Sequence, residues 1–419
     1  MSYTTSGNGI FLQNGSINNT IDACEVKEVK GHGIIIKDPT SINNTISNNI
    51  VADCDGNSGI GLMFKAGGTT IANNEVYRTK THGIIVSGGA SNCNITDNHI
   101  EDTGYYRPAN AGVGEFFCHG IAIDAGLLEN RGSNHLIQGN TIINAGRAGI
   151  EVADWQDDTE INDNYIHTTG LYTNEEAQDQ YGIYFGGSLG NGINGTITNN
   201  VIYDAKKDGI KVGSNNTNIA ISEQILVEGN SIYNAAEEGI KIMYADHVTV
   251  QNNSVENATF NGLKLNGGTA GNTPAPASNI VISSNDISSS LQYGISLSNG
   301  NVVSVTNNNL CSNTLGEINQ GSGLSGLSIS GNSCVLGLED FEASGVLMYP
   351  NPFNNNLFLE NLNKVSNLKI YTIMGQLIYS KSLNGQDKLN INTSSFGSGL
   401  YILNLQNETS IYSSKIIKE

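Results

Sequence analysis

The sequence is poor in charged residues and in proline. Only 14% of its 419 residues are charged and six are proline, whereas 50 are glycine. A disordered acidic chain would be rich in charge and poor in Ile and Val, so that class is excluded. Abundant Gly and Asn with regularly placed Ile favour many short strands joined by tight turns.

Cysteine is also scarce, and long apolar segments are absent. The six cysteines form no Cys-x-x-Cys pair, which argues against a zinc site, and their spacing does not define a disulfide framework. No apolar run reaches about 18 residues, so no membrane span is expected. No signal peptide begins at Met1, and the chain opens directly within a repeat.

The formal net charge of −19 is unevenly distributed. Residues 346–419 hold six lysines and four acidic residues, so they carry +2 and the first 345 residues carry −21. Duplex nucleic acid is excluded as a partner, because phosphate binding needs a basic face. Acidity of this kind favours solubility, and we expect a monomer.

Two short sequence phrases alternate along residues 8–338, mostly at intervals of 23–25 residues. The first is Gly-Ile-x-[Ile/Val/Leu/Phe], with Leu replacing the first Ile once, and its glycine lies at Gly33, Gly59, Gly83, Gly120, Gly149, Gly182, Gly209, Gly239, Gly262 and Gly294. The second is [Ile/Val]-x-x-Asn-x-[Ile/Val/Leu], and its asparagine lies at Asn49, Asn74, Asn98, Asn140, Asn164, Asn200, Asn230, Asn253, Asn285, Asn308 and Asn332, with Cys24 in the equivalent first place.

This repeat predicts an all-β fold, a right-handed parallel β-helix of about twelve coils. Apolar residues at i and i+2 place alternate side chains on one side of each strand, and stacking the coils about 4.8 Å apart buries them in a continuous column. The equivalent asparagines then form a ladder, in which each amide bonds the backbone and the next asparagine. A leucine-rich repeat needs a Leu-rich consensus and a propeller needs blades of about 40 residues, so neither fits.

After residue 338 the asparagine ladder stops, and we place a linker at residues 339–346 and a second domain at residues 347–419. Turn residues such as Gly375 and Asn384-Gly385 separate short apolar strands there, which predicts a small antiparallel sandwich. The predicted strands are Leu357–Glu360, Leu368–Tyr371, Leu377–Lys381, Leu389–Ile391, Tyr401–Leu405 and Ile411–Ile416.

These last residues resemble the type IX (Por) secretion C-terminal sorting domain. The resemblance lies in Tyr349-Pro350-Asn351-Pro352-Phe353, Leu368-Lys369-Ile370-Tyr371, Met374-Gly375-Gln376, Gly399-Leu400-Tyr401-Ile402 and the terminal Lys415-Ile416-Ile417-Lys418-Glu419. It implies recognition by the type IX secretion machinery and export across a bacterial outer membrane, followed by release or surface attachment. Such cargo normally carries an N-terminal export signal, so we expect that an N-terminal portion is missing from this sequence.

The repeat region resembles the pectate-lyase-like superfamily at the level of the generic β-helix repeat, which implies a fold and not an activity. The polygalacturonase series is incomplete here, because Gly31-His32-Gly33 and Asp157-Asp158 stand in the wrong order without their companion motifs. The Asp-Pro-His of mannuronan epimerases is absent, as is the Lys-Ser and Arg-His-Gly pairing of alginate and chondroitin lyases.

The residue between the two apolar positions of each Gly-Ile strand should point outward. We call these residues the outward row, and they are Ile35, Gly61, Ile85, Ala122, Glu151, Tyr184, Lys211, Lys241, Lys264 and Ser296. Three lysines on consecutive coils repel each other, so something should neutralise them. Asp208 and Glu238 are one source of negative charge, and an anionic ligand such as a uronate chain is the other.

Two insertions support a site near this row. Residues 104–118 and 169–180 leave the coil at the same turn, just before a Gly-Ile strand, and should wall one edge of a groove along coils four to nine. Their aromatic residues suit sugar stacking, although a loop without a ligand explains them equally.

We therefore predict an exported protein that acts on, or binds, an anionic polysaccharide. The candidate catalytic residues are Lys211, Lys241, His119, Tyr181 and Glu151, the candidate substrate-binding residues are Tyr184, Trp155, Lys264, Arg107 and Tyr105, and the candidate Ca²⁺ ligands are Asp124, Glu151 and Asp154. In a uronate lyase one of His119, Tyr181 or Lys211 would abstract a proton in β-elimination, with Ca²⁺ held against the uronate carboxylate. A glycoside hydrolase with paired carboxylates and a non-catalytic glycan-binding or adhesin-like protein remain the alternatives.

Overall fold

A computed structural model of the chain describes residues 7–106, 117–124, 131–171, 180–187, 192–214, 221–270, 273–334, 339–340, 345–372, 376–383, 385–406 and 411–419. The chain divides into two compact units, Met1–Val335 and Leu336–Glu419. No helix among the described residues is long and apolar enough to cross a membrane.

Three long parallel sheets form the first unit, and this confirms the predicted right-handed parallel β-helix. The first sheet contains Ile10–Leu12, Ile34–Lys37, Ile60–Met63, Ile84–Ser87, Ile121–Asp124, Ile150–Ala153, Ile183–Gly186, Ile210–Gly213, Ile240–Met243, Leu263–Asn266, Tyr293–Ser298 and Gly316–Gln320. The second sheet contains Thr20–Asp22, Thr45–Ser47, Thr70–Ala72, Asn94–Thr96, Leu136–Gln138, Glu160–Asn162, Thr196–Thr198, Ser222–Glu228, Ala245–Gln251, Ala277–Ser283, Gly300–Thr306 and Ser325–Ser330. The third sheet contains Glu25–Val29, Ile50–Cys54, Glu75–Thr79, His99–Thr103, Thr141–Ala145, Tyr165–Thr169, Val201–Tyr203, Ser231–Tyr233, Ser254–Glu256, Asp286–Ser288 and Asn309–Cys311.

Two short strand pairs lie outside these three sheets. The strand Gly132–Ser133 pairs in parallel with Gln156–Asp157, and Gly268–Ala270 pairs with Thr273–Ala275 in an antiparallel manner.

The Gly-Ile phrases become the strands of the first sheet, and their apolar residues fill the interior. Ile150, for example, pairs in register with Ile121 before it and Ile183 after it, and all three side chains are fully buried. Complete burial of such a side chain stabilises the fold by about 1.5–3 kcal/mol. The preceding glycine is required by close packing, because a Cβ at Gly149 would stand 2.7 Å from the carbonyl oxygen of Gly182.

The predicted asparagine ladder runs along the β-helix. The Asn200 side-chain oxygen accepts the backbone N–H of Asn164 at 3.0 Å and its side-chain N–H at 2.9 Å. The amide nitrogen of Asn200 donates to the Ile161 carbonyl at 3.0 Å and to the Asn230 oxygen at 2.9 Å. At the first place of the series Cys24 donates its backbone N–H to Asn49, as its position predicts. Each asparagine therefore bonds both neighbouring coils.

A disulfide between Cys311 and Cys334 links the last two coils, and the spacing of the cysteines did not predict it. The two residues are separated by 23 positions, one fewer than the bridged pair Asn309 and Ser333, so the repeat brings them close together on adjacent coils. The neighbouring Asn309 and Ser333 form a parallel bridge. The cross-link therefore fastens the terminal coil to the coil before it.

The second unit consists of two small sheets around its own apolar core. One sheet contains Glu339–Asp340, Ile411–Lys418, Gly399–Gln406, Asn367–Thr372 and Leu377–Ser382, and the other contains Leu347–Tyr349, Asn356–Glu360 and Lys388–Asn392. Among these strands the pairings are antiparallel, except that of Glu339–Asp340 with Ile411–Lys418. Each of the six strands predicted for this region lies within an observed strand.

The ladder makes a testable prediction at Asn200. Substitution Asn200→Ala removes the acceptor for the buried Asn164 N–H and the donor to the Ile161 carbonyl. Each of the two orphaned groups costs about 1–3 kcal/mol, so the free energy of unfolding should fall by about 2–6 kcal/mol. Denaturant unfolding followed by circular dichroism measures it. Thr196→Ala, on the outer face of the preceding strand, is the control and should change stability by less than about 0.5 kcal/mol. Equal stability of the two variants would contradict a ladder that supports the fold.

Candidate functional site

The outward row exists as the sequence predicts. In the first sheet Ala122 pairs with Glu151, Glu151 with Tyr184, and Tyr184 with Lys211. Lys211 then pairs with Lys241, and Lys241 with Lys264. The row therefore places one side chain per coil along a straight line on the outside of the sheet.

A second column lies beside the outward row, formed by the residue before the glycine of each Gly-Ile phrase. We call it the pre-glycine column, and its members include Asn8, His32, Ser58, His82, His119, Ala148, Tyr181, Asp208, Glu238 and Asn261. Parallel hydrogen bonds from each glycine N–H to the next member's carbonyl keep the column in register, as in Gly120 to Ala148 and Gly149 to Tyr181.

Polar members of the pre-glycine column form a second ladder that the sequence analysis missed. In each case a side chain accepts the backbone N–H of the next member. The acceptors are Asn8 Oδ1 from His32, His82 Nδ1 from His119, His119 Nδ1 from Ala148, Asp208 Oδ1 from Glu238, Glu238 Oε2 from Asn261, and Asn261 Oδ1 from Tyr293, over 2.9–3.3 Å. Histidine, carboxylate and asparagine side chains in this column therefore all accept the backbone N–H of the next member.

Contacts between the two columns are diagonal. The outward residue of one coil reaches the pre-glycine residue of the coil before it. These pairs are Glu151 with His119, Lys211 with Tyr181, Lys241 with Asp208, and Lys264 with Glu238. Each of these outward side chains is thus paired with a side chain from the preceding coil.

Lys241 and Lys264 in the row are neutralised by buried carboxylates. Lys241 Nζ lies 3.3 Å from Asp208, and Lys264 Nζ lies 2.7 Å from Glu238. Burial raises the pKa of Asp208 to about 6, although the charge of Lys241 opposes that rise. Burial would lower the pKa of Lys241, but Asp208, Glu238 and Glu237 raise it above its ordinary value. For these two lysines the salt-bridged ladder is the observed arrangement.

Lys211 has different surroundings. Its Nζ donates to the Tyr181 hydroxyl at 3.0 Å. It also lies 4.6 Å from the centroid of the Tyr181 ring and 4.8 Å from that of Tyr184, within the range of cation–π attraction. All three side chains are buried, with 4–6% exposed. The candidate residues Lys211, Tyr181 and Tyr184 therefore form one cluster.

His119 and Glu151 form a second contact on the preceding coils. His119 Nε2 lies 2.8 Å from Glu151 Oε2, and the ring stacks on His82 with centroids 5.3 Å apart. Burial would raise the pKa of Glu151, but the contact with His119 and the charges of Arg147 and Lys211 lower it below its ordinary value. Burial lowers the pKa of His82 well below its ordinary value. The carboxylate of Glu151 is therefore ionised within an otherwise buried cluster.

Arg147 and Phe117 belong to this cluster and were not among the candidates. Arg147 is buried, and its guanidinium carbon lies 4.9 Å from the centroid of the Phe117 ring. Phe117 also stacks against His119 at 6.2 Å. A basic residue two positions before Gly149 is the sequence signal that could have identified Arg147.

The proposed calcium ligands do not come together. Asp124 ends its strand, and Asp154 follows the next strand in a left-handed turn residue with φ of 55°. The carboxylate of Glu151 is turned to His119, on the glycine side of its strand. Within the described part of the chain, no group of three or more His, Cys, Asp or Glu side chains is arranged to hold a metal ion.

The remaining candidates occupy other places. Trp155 is half-buried in the same left-handed turn as Asp154, with φ of 58°. The ring of Tyr105 packs edge-on against Tyr106, whose hydroxyl donates to Asp53. Arg107 lies outside the described residues, as does most of the two loops at residues 104–118 and 169–180, so their role as groove walls stays a prediction.

Comparison with family models identifies both units. The model described as "Right handed beta helix region" matches residues 3–166, 123–275 and 171–334. The model described as "Secretion system C-terminal sorting domain" matches residues 347–419, which confirms the resemblance of the tail and indicates export. A search of the curated proteins gives no match.

Solved structures with a similar fold include two carbohydrate-active proteins. The A-module of a mannuronan C-5 epimerase from Azotobacter vinelandii has a TM-score of 0.54 at 16% identity, covering 77% of this chain and 84% of that one. The catalytic domain of a GH87 α-1,3-glucanase in complex with nigerose has a TM-score of 0.51 at 15% identity, covering 77% of this chain and 64% of that one. At such identities the similarity concerns the fold.

The raised pKa of Asp208 makes stability depend on pH. Because the folded-state pKa is about 6 and the ordinary value is 3.8, the folded state holds this proton more tightly than the unfolded state. The stabilisation is complete below pH 3.8 and is lost as the pH rises through 6. The melting temperature of the wild type minus that of Asp208→Asn should therefore decrease as the pH rises across that window. Asparagine keeps the acceptor for the Glu238 N–H, so a difference that stays constant or grows with pH would contradict the assignment.

Proposed function

The chain belongs to the right-handed β-helix family, and from that premise we propose that it is an exported lyase that cleaves a uronate polysaccharide by β-elimination. The observation that carries the proposal is the 3.0 Å contact of Lys211 Nζ with the Tyr181 hydroxyl. Lys211 Nζ also lies within 5 Å of the centroids of the Tyr181 and Tyr184 rings. A proton-transfer group and a cation for the uronate carboxylate thus stand side by side.

The reaction needs a base beside the carbon that carries the carboxylate, and a cation that neutralises that carboxylate. An ammonium that donates to a phenol oxygen stabilises negative charge on it, so Lys211 prepares Tyr181 to take a proton. With Tyr181 in its phenolate form, the C–H bond breaks, its proton passes to the phenolate oxygen, and the electron pair forms the new double bond while the glycosidic oxygen leaves. Tyr181 then returns the proton to the leaving oxygen. Proton transfer by a positioned group contributes about 10²–10⁴-fold to the rate.

Glu151 supplies the counter-charge for this site. Buried cations require compensation, because removing an isolated charge from water costs several kcal/mol or more. Both Arg147 and Lys211 act electrostatically on Glu151, and their charges help to keep its carboxylate ionised. We assign Glu151 to holding these two cations in their charged form.

The rest of the outward row offers the substrate-binding surface. Lys241 and Lys264 continue the line of Lys211 over the next two coils, so an anionic chain lying along the β-helix axis would meet one lysine per coil, about 4.8 Å apart. Tyr184 lies in the same row and Trp155 at the turn beyond it. Ca²⁺ stays a proposal for the complex of protein, metal ion and substrate, in which the substrate carboxylate would supply further oxygen ligands.

A glycoside hydrolase is the second candidate, and opposite pKa shifts favour it. The pKa of Glu151 is lowered and that of Asp208 is raised to about 6, which is the pattern of a base and an acid. The two residues are two coils apart, about 9.6 Å along the stack, near the upper end of the separation used by inverting enzymes. Against it, the Asp208 side chain has no exposed surface and is held by Lys241. The lyase remains the better fit.

A non-catalytic glycan-binding or adhesin-like protein is the rival from another class. Diagonal pairs along a stack of coils also stabilise a rigid surface, and that role needs no reaction. The two classes differ in products, since a binder yields neither new chain ends nor a double bond.

The activity test is ultraviolet absorbance of the unsaturated product, measured across a panel of uronate polysaccharides with Ca²⁺ or with chelator. On the substrate that the wild type cleaves, the rate of absorbance increase should fall by about 10²–10⁴-fold in Tyr181→Phe. Lys211→Gln should also lose it, because the substrate carboxylate is no longer neutralised. New reducing ends without absorbance would indicate the hydrolase. The absence of both signals on every substrate would indicate the non-catalytic glycan-binding protein.

Matched controls for this test lie on the third sheet. Tyr203→Phe removes a hydroxyl from a ring that stacks on Tyr233 at 4.6 Å, and Lys27→Gln removes an exposed lysine. Both variants should keep full activity. Equal loss in Tyr181→Phe and Tyr203→Phe would show a general effect on folding and would contradict the assigned role.

The export test concerns residues 347–419. In a bacterium with the type IX system, removal of these residues should retain the protein in the cells, while the full chain reaches the surface or the medium. Immunoblotting of cell, surface and medium fractions measures this, with a cytoplasmic marker as the control for lysis. Equal export with and without the segment would contradict its role.

A further inference from the structure

The two ring nitrogens of His119 face different partners. Nδ1 accepts the backbone N–H of Ala148 at 3.1 Å, and Nε2 lies 2.8 Å from Glu151 Oε2. A backbone amide can only donate, so Nδ1 must be unprotonated. The proton of the neutral ring is therefore on Nε2, where it faces the carboxylate.

We propose that His119 is a positioning residue, which uses the ladder bond from Ala148 to fix its tautomer and thereby holds Glu151 as an oriented carboxylate. The inference rests on the proposed function, in which Glu151 balances the cations of the site. It revises the sequence-based prediction that His119 abstracts a proton from the substrate.

Burial and geometry exclude direct contact between His119 and a polysaccharide. The side chain has no exposed surface, and one face of its ring stacks on His82. Its Nδ1 is occupied by the backbone and its Nε2 is directed at Glu151, which keeps 8% of its surface exposed. Any effect of His119 on the reaction must therefore pass through Glu151.

The groups that lower the pKa of Glu151 come from three elements. His119 stands on the preceding coil, Arg147 precedes the strand of Glu151 itself, and Lys211 lies two coils further on. His119 Nε2 lies 2.8 Å from the Glu151 carboxylate, and Arg147 and Lys211 act on that carboxylate through their charge. Removal of the His119 contact should increase the influence of burial, so the carboxylate should protonate at a higher pH.

Two substitutions test the contact between His119 and Glu151. Asparagine reproduces the acceptor near Cβ, and Asn261 fills this role in the same column by accepting the N–H of Tyr293. His119→Asn should therefore keep the ladder bond and lose the contact of Nε2 with Glu151. Glutamine has the length of Glu238, which accepts the N–H of Asn261 through Oε2 and contacts Lys264 through Oε1 in the same column, so His119→Gln should keep both the ladder bond and an N–H beside Glu151.

The experiment compares these two variants in three measurements. His119→Gln should keep its stability and most of its kcat, because both contacts are retained, and it is the conservative control. His119→Asn should keep its stability and lose about 10²-fold in kcat, as expected when a charged group is misplaced. The acidic limb of the pH profile should move to higher pH in His119→Asn alone.

Nuclear magnetic resonance gives a readout that does not need a substrate. In the wild type the His119 ring should show a protonated Nε2 and an unprotonated Nδ1, and a ¹³C-labelled Glu151 carboxyl should titrate at higher pH in His119→Asn than in the wild type or His119→Gln. This result without any lyase activity would overturn the proposed function and support the role of His119. Identical Glu151 titration in both variants, or a proton on Nδ1, would overturn the inference.

Discussion

Parallel hydrogen bonds hold successive coils one strand spacing apart, and this spacing decides which side chains can meet on the surface. Every coil passes its backbone N–H groups to the next through the sheets, and at two turns it also uses side chains as acceptors. The interior column of Ile, Val and Leu depends on the same spacing, since a shift of one residue would turn each apolar side chain outward. The ladders therefore fix the register on which both the core and the candidate site depend.

Polar side chains in the pre-glycine column carry two tasks at once. Asp208 accepts a backbone N–H from Glu238 and also neutralises Lys241, while being fully buried. His119 accepts a backbone N–H and also contacts Glu151. Buried polar groups are stable only when satisfied, and the ladder satisfies one side of each while leaving the other side for the outward row. Ionisable groups can thus be held at low exposure along this face.

Much of the fold could be predicted from the sequence because the repeat is strict in the residues that the backbone needs. Gly149 is required by close packing and Asn200 by its hydrogen bonds, and both recur at equivalent positions, so periodicity alone located the strands and the outward row. The strands after residue 347 were found by alternation and turn residues. The tail family could be named because its motifs are ordered along the chain.

The site was less predictable, because its contacts run diagonally between coils. Register indicates that Lys211 follows Tyr184, but it does not indicate that the Lys211 amine reaches back to Tyr181. The same limit explains why Glu151 was assigned to calcium with Asp124 and Asp154, although its carboxylate turns to His119. Arg147 was missed because it lies outside both sequence phrases. The Cys311–Cys334 link was visible only after the coil length was matched to the cysteine separation.

The one-coil diagonal has a consequence for how such surfaces can evolve. Each contact joins residues on adjacent coils. The loss of a whole coil would therefore form a new contact at the junction and leave the other contacts intact. Loss of residues 208–237, for instance, would bring Lys241 against Tyr181 in place of Lys211, and would recreate the same lysine–tyrosine contact. Gain or loss of coils would therefore change the number of lysines in the row and would keep the contact of its first lysine with Tyr181. In this architecture the coil, and not the single residue, is the unit by which a surface can be lengthened or shortened.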